Sequence, residues 1–197
     1  EKNFAYFTGE LGITDSSEVW LERAAHRKTL LKKYCYNGSD KLYYDYDYVN
    51  GRQSDIVSAA IFSLMYAKVI DQSEANDLIK ALEKLEFEYG ISTCENRDYQ
   101  YFYQWSYPNG WAPLQYLAVR GLDNYGFKNE AQRIASKYVD MVTNTYKTTG
   151  HLWEKYNIRK GNADVRNEYE MPTMLGWSAG VYVYLTDYLN DGFKVEK

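Results

Sequence analysis

Cysteine, histidine and proline are all scarce: the 197 residues contain two, two and three of them. Cys35 and Cys94 do not stand at metal-ligand spacing, and His26 and His151 lie far from both. Two free, buried thiols are therefore expected, a disulfide having no support in the pattern, and no metal or other cofactor is expected. His151 reads as a surface residue. No run of about 18 apolar residues occurs, which excludes a transmembrane helix. The 23 Lys and Arg residues are scattered and the net charge is −4, so neither a nucleic-acid partner nor a basic membrane-binding face is expected. Asn37-Gly38-Ser39 matches a glycosylation sequon, a tripeptide common by chance. The chain opens Glu1-Lys2-Asn3-Phe4-Ala5, without Met or a signal-like stretch, and is expected to be a processed, trimmed or partial chain.

Aromatic residues are abundant instead, at 17% with 22 tyrosines, and an apolar content of 45% suffices for one domain spanning residues 1–197. The richest stretch is Gln104-Trp-Ser-Tyr-Pro-Asn-Gly-Trp-Ala-Pro-Leu-Gln115, which holds two of the five tryptophans and two of the three prolines. Such a loop is rigid and carries neutral amides between aromatic rings. Indole faces stack on the C–H faces of a sugar ring, and amides and carboxylates bond its hydroxyls. The same content equally suits a loop that lines a core, since most aromatic side chains are packed inside.

Hydrophobic spacing predicts six helices. The first runs from Ser16 to about Cys35, with Ser16 or Asp15 as N-cap. The second, Asp55–Ile70, is apolar nearly all round and reads as buried. The third, Ser73–Glu86, is amphipathic; the fourth, Trp111–Tyr125, is apolar with Pro113 in its first turn. Asn129–Thr148 is the fifth and Trp177–Leu189 the sixth, separated by a long irregular stretch from His151 to Gly176. Between the first two, Lys41–Tyr48 alternates aromatic and acidic residues and suits a short strand or an extended loop closed by Asn50-Gly51. Apolar helices alternating with amphipathic ones predict an all-α fold of the (α/α)6 toroid type, with a plain helical bundle as the alternative.

In a toroid, the loops before the inner helices converge on one pocket. Here those loops carry Trp105, Trp111, Trp153 and Trp177, with Asp45, Asp47, Glu154, Glu168 and Glu170. Four elements in order then resemble the trehalases of glycoside hydrolase family 37. Leu42–Gln53 is similar to a V-Y-Y-D-Y-D…Q stretch, and Gln104–Gln115 to the signature Q-W-D-x-P-N-G/A-W-x-P-L-Q. Trp153-Glu-Lys-Tyr-Asn157 resembles the E-K-Y-D/N element, and Glu168–Val181 the element E-Y-x-x-Q-x-G-F-G-W-x-N-G-V.

The resemblance implies an (α/α)6 barrel, of which six helices form half, that hydrolyses trehalose to glucose with inversion. It implies Glu154 as general base and Glu168 as a second carboxylate in the same pocket. Gln104, Trp105, Asn109, Trp111, Trp153 and Trp177 are the implied sugar-binding residues. Each has a plainer reading: Glu154 as a solvated carboxylate paired with Lys155 or Arg159, Glu168 bridged to Arg166, and the tryptophans as packing. Three departures stand out. The upstream S-G-W-D element carrying the family's general acid is not among these residues; Ser106 stands where the signature has Asp; Lys160–Asn167 replaces a glycine-rich run that resembles a lid over substrate. The implied partners are a small sugar, trehalose or a related α-glucoside, and either the missing N-terminal half or a second copy that covers the flanks of the inner helices. The alternative function is a non-catalytic carbohydrate-binding or scaffolding remnant of such an enzyme.

Overall fold

The computed structural model describes residues 1–97, 103–165, 167–173 and 176–191. The chain folds as two units, Glu1–Asp55 and Ile56–Lys197.

The first unit opens with a helix that periodicity does not predict. α1 (Lys2–Glu10) lacks a side-chain cap. It is held by α2 (Thr14–Tyr34), where Trp20 stacks on Phe4 at 4.7 Å and the Ser17 hydroxyl donates to the Ala5 carbonyl. The expected N-cap of α2 at Asp15 or Ser16 is corrected: the helix starts at Thr14 behind Ile13, without a side-chain cap. Two hairpins follow, β1 (Tyr36–Asn37) with β2 (Leu42–Tyr43), and β3 (Tyr46–Asp47) with β4 (Arg52–Gln53). Asp47 closes the second by accepting from the Val49 and Asn50 amides, a turn-forming role for one of the alternating aspartates.

In the second unit the expected helix Asp55–Ile70 shrinks to α3 (Ile61–Tyr66). Residues 57–59 instead pair with 93–95: the Ala59 amide donates to Thr93, the Glu95 amide donates to Val57, and the Val57 amide donates to the Glu95 carboxylate. The expected Ser73–Glu86 helix is broken as well. It consists of α4 (Gln72–Leu78), a 3-10 turn at Ile79–Ala81 and α5 (Leu82–Leu85). A reciprocal Asp71–Glu74 capping box starts α4. The hairpin of β5 (Glu86–Phe87) and β6 (Gly90–Ile91) follows.

The remaining helices match their periodicity. After β7 (Asn109–Trp111), α6 (Ala112–Asn124) begins with Pro113 in its first turn. α7 (Lys128–Thr149) buries Ala131, Ile134, Ala135, Tyr138, Met141, Val142 and Thr145 on one face and stops at Gly150, whose φ is 72°. β8 (Lys155–Asn157) and α8 (Gly176–Asp191) complete the chain. α6 packs against α3, α7 and α8. Gly121 lets α6 approach α3 closely, because a Cβ there would stand 2.9 Å from both Met65 Cβ and the Phe62 carbonyl. The fold is all-α in class, with minor two-stranded ladders. Cys35 and Cys94 are unbridged thiols. No helix among the described residues is long and apolar enough to cross a membrane.

Candidate active site

The site is assembled by one short ladder. β7 and β8 pair antiparallel, setting Asn109 opposite Asn157, Gly110 opposite Tyr156 and Trp111 opposite Lys155. Directly opposed residues in such a pair point to the same face. The register therefore brings the tryptophan-rich stretch and the Glu-Lys-Tyr-Asn stretch side by side, inside a region where periodicity gave no helix. Two neighbours fix the ladder. Gln115 accepts from the Ile91 amide at 2.8 Å and donates to its carbonyl at 2.6 Å. Gly110 leaves no room for a side chain, since a Cβ would lie 2.2 Å from Ile158 Cγ2.

The loop before β7 is held by its own backbone. The Gln104 carbonyl accepts from Asn109 Nδ2 at 3.0 Å and from the Trp111 indole at 3.1 Å. Ser106 is buried and donates to the Tyr103 carbonyl at 2.7 Å. Asn109 and Trp111 are thus interior residues, while the Gln104 side-chain amide is buried with both polar atoms unpartnered among the described residues. Trp105 lies parallel on Trp111, with centroids 4.0 Å apart and planes 3° apart, and Trp177 meets Trp111 edge-on at 5.8 Å. Trp111 is 2% exposed, whereas Trp105 is 50% and Trp177 39% exposed. The faces open to a ligand belong to Trp105 and Trp177.

Glu154 sits beside this aromatic floor and is buried. Its Oε2 accepts from the Lys155 ammonium at 2.7 Å. The Tyr169 hydroxyl donates across both carboxylate oxygens, at 2.6 and 2.7 Å. That bond, followed by burial and the charges of Glu154 and Glu168, pushes the Tyr169 hydroxyl up to about 12, so it remains a donor at neutral pH. The first turn of α8 holds the backbone here: Trp177 Nε1 donates to the Glu154 carbonyl at 3.3 Å and Ser178 Oγ to that of Trp153 at 2.7 Å.

The structure therefore gathers Gln104, Trp105, Asn109, Trp111, Glu154 and Trp177. Trp153 is half-buried and donates to Thr149 Oγ1 at 3.1 Å, with exposed His151 against its ring. Glu168 is exposed and acts electrostatically on Tyr169; Arg166, its expected partner, lies outside the described residues. Arg159 bonds Tyr107, and the pairing of Glu154 is with Lys155. The sequence named Lys155 as a candidate partner of Glu154 but not as a buried one, and it passed over Tyr169, although that residue adjoins Glu168 and Glu170. The available signal was a lysine inside a strand whose neighbours are all buried.

A helical framework presenting tryptophans beside a braced carboxylate is the arrangement of an α/α-toroid glycosidase. The Trehalase family model matches residues 1–190, and the chain belongs to that family of glycoside hydrolases. It is 34% identical over 190 residues to a probable trehalase of Eremothecium gossypii, covering 86% of this chain and 25% of that protein. The neutral trehalase Nth1 of Saccharomyces cerevisiae superposes with a TM-score of 0.76 at 29% identity, over 89% of this chain and 31% of that one. A GH63 mannosylglycerate hydrolase of Thermus thermophilus, solved with glucose, has the same fold at a TM-score of 0.64 and 18% identity, over 87% and 38% of the two chains. The chain thus spans about a quarter to a third of the length of these trehalases.

Proposed function

We propose that this chain carries the base side of a trehalose-hydrolysing site that works with inversion. Glu154 takes a proton from water, and the water oxygen attacks the anomeric carbon from the face opposite the leaving oxygen. A carboxylic acid across the sugar, roughly 6.5–9.5 Å from the base, protonates that oxygen. One β-glucose and one α-glucose result from each trehalose. The acid belongs to an S-G-W-D element that these 197 residues do not contain, so it must come from outside them. The observation that carries the proposal is Glu154: a buried carboxylate, held by Lys155 and Tyr169, beside the exposed faces of Trp105 and Trp177.

The exposed surfaces of Trp105 and Trp177 border the sugar site, with Trp177 nearer Glu154 through its indole bond to the Glu154 carbonyl. The Gln104 amide, buried and without a partner among the described residues, lies on the loop that carries Trp105. Trp111 and Asn109 act from beneath as supports, Trp153 closes the side toward α7, and Glu168 is the second carboxylate at the mouth. Fluoride release from α-glucosyl fluoride, whose leaving group needs no acid, compared between the chain and Glu154→Gln, tests the base assignment. Unchanged release in the variant would remove Glu154 from that role.

A second reading rests on Ser106. Its hydroxyl is spent on the Tyr103 carbonyl, where the family signature carries an acceptor-only Asp. If that Asp is required for turnover, the chain is a carbohydrate-binding remnant. Saturable trehalose binding by calorimetry without fluoride release from α-glucosyl fluoride is the outcome expected of the remnant.

A further inference from the structure

Lys155 is completely buried, an unusual place for an ammonium. Lysines that cover apolar surface ordinarily reach solvent with the charged end, and an unpaired buried cation is strongly unfavourable. This one meets three groups. Glu154 Oε2 lies 2.7 Å away, and the rings of Trp111 and Tyr169 each have their centroid 4.9 Å from Nζ. Trp105 already lies parallel on Trp111 at 4.0 Å, a gap too narrow to admit an ammonium. Lys155 therefore occupies the opposite face of that indole. Trp111 is a shared plate, with the exposed tryptophan above it and the cation below.

We propose that Lys155 is a positioning residue for Glu154: its buried ammonium, held against the inner face of Trp111, fixes where the carboxylate points. The β7–β8 register builds this contact, because it places Lys155 opposite Trp111. The attraction of a desolvated cation for an indole face adds to the ion pair, and Tyr169 holds the carboxylate from its other side. The inference rests on Glu154 being the general base.

The test uses Lys155→Met, Lys155→Arg, Glu154→Gln and the Lys155→Met/Glu154→Gln double variant. The substrates are trehalose and α-glucosyl fluoride, whose leaving group needs no acid. A base held about 1 Å out of place loses on the order of 100-fold in rate. Lys155→Met is therefore expected to lower kcat by about 100-fold with KM within about threefold, the signature of an interaction made only in the transition state. Lys155→Arg, which keeps the charge, is expected to recover most of that loss. Collapse of the aromatic floor would raise KM as well and would not be rescued by Arg. Melting completes a cycle that needs no turnover. Lys155→Met should lower Tm by about 10 °C beside Glu154, whose partner it removes, and by far less beside Gln at 154. An unchanged kcat in Lys155→Met, alongside a large loss in Glu154→Gln, overturns this inference alone. Full activity in Glu154→Gln overturns the base assignment instead. Equal Tm losses in the two backgrounds overturn the pairing whether or not glucose is released.

Discussion

Trp105 and Trp111 are 50% and 2% exposed although they are stacked on each other. A substitution at each should therefore separate binding from folding. Trp105→Ala removes the open face, and a lost sugar–indole contact of about 1–1.5 kcal/mol corresponds to a roughly tenfold weaker trehalose affinity by calorimetry, with little change in melting. Trp111→Ala removes a fully packed side chain and is expected to destabilise by about 3–5 kcal/mol, seen in denaturant melts. Equal effects of both on affinity, at equal stability, would contradict these roles. Gly110 offers a third check. An added methyl collides with Ile158 at 2.2 Å and crowds the Ile91 carbonyl at 3.1 Å, so Gly110→Ala should destabilise by about 1–3 kcal/mol through the β7–β8 ladder. At this scale the sequence made Glu154 and the tryptophans legible as members of one constellation. Their division of labour was not legible, since exposure depends on which face of each ring a neighbour fills. The Lys155–Glu154 pairing was legible from adjacency, but the seat of Lys155 against Trp111 and the Tyr169 contact were not, because no spacing along the chain encodes them.

Among the elements, α7 is tied to β5 by charge. Glu86 accepts two bonds from Arg133, each 2.8 Å, and one from Lys137 at 2.6 Å. Burial works to raise the Glu86 carboxyl, and these bonds outweigh it, holding the group below its ordinary value. A carboxyl lowered in the folded state stabilises above the ordinary carboxylate range, and that stability is lost as pH falls through the lowered value. Glu86→Gln is therefore expected to melt about 4–8 °C below the parent at about pH 7 and to converge with it near pH 2. A gap that stays constant over that interval would contradict the linkage. Helices α6, α7 and α8 were legible because their apolar period survives in the fold. The shortening of Asp55–Ile70 to α3 was not, because the competing partners, residues 93–95, are distant in sequence. α1 was hidden for a related reason: Phe4, Tyr6 and Phe7 remain exposed, and its support comes from Trp20 and Ser17 on α2.

For the molecule as a whole, the alternation of apolar and amphipathic segments made the all-α class readable, and four ordered motifs made the family readable. The two-unit division at Asp55 left no mark in tyrosine content, which is similar on either side. The β7–β8 ladder, which builds the site, spans a stretch that reads as irregular when each strand is viewed without its partner. The central claim is that Glu154 supplies the base of an inverting hydrolase whose acid lies outside these residues. α-Glucosyl fluoride isolates that half of the chemistry, since fluoride departs without protonation. The decisive measurement is fluoride release by the chain, with proton NMR of the first glucose formed. The account predicts β-glucose, with release lowered at least about 1000-fold in Glu154→Gln, as expected for loss of general-base assistance together with water positioning. α-Glucose as the first product, or equal release by the variant, would contradict it.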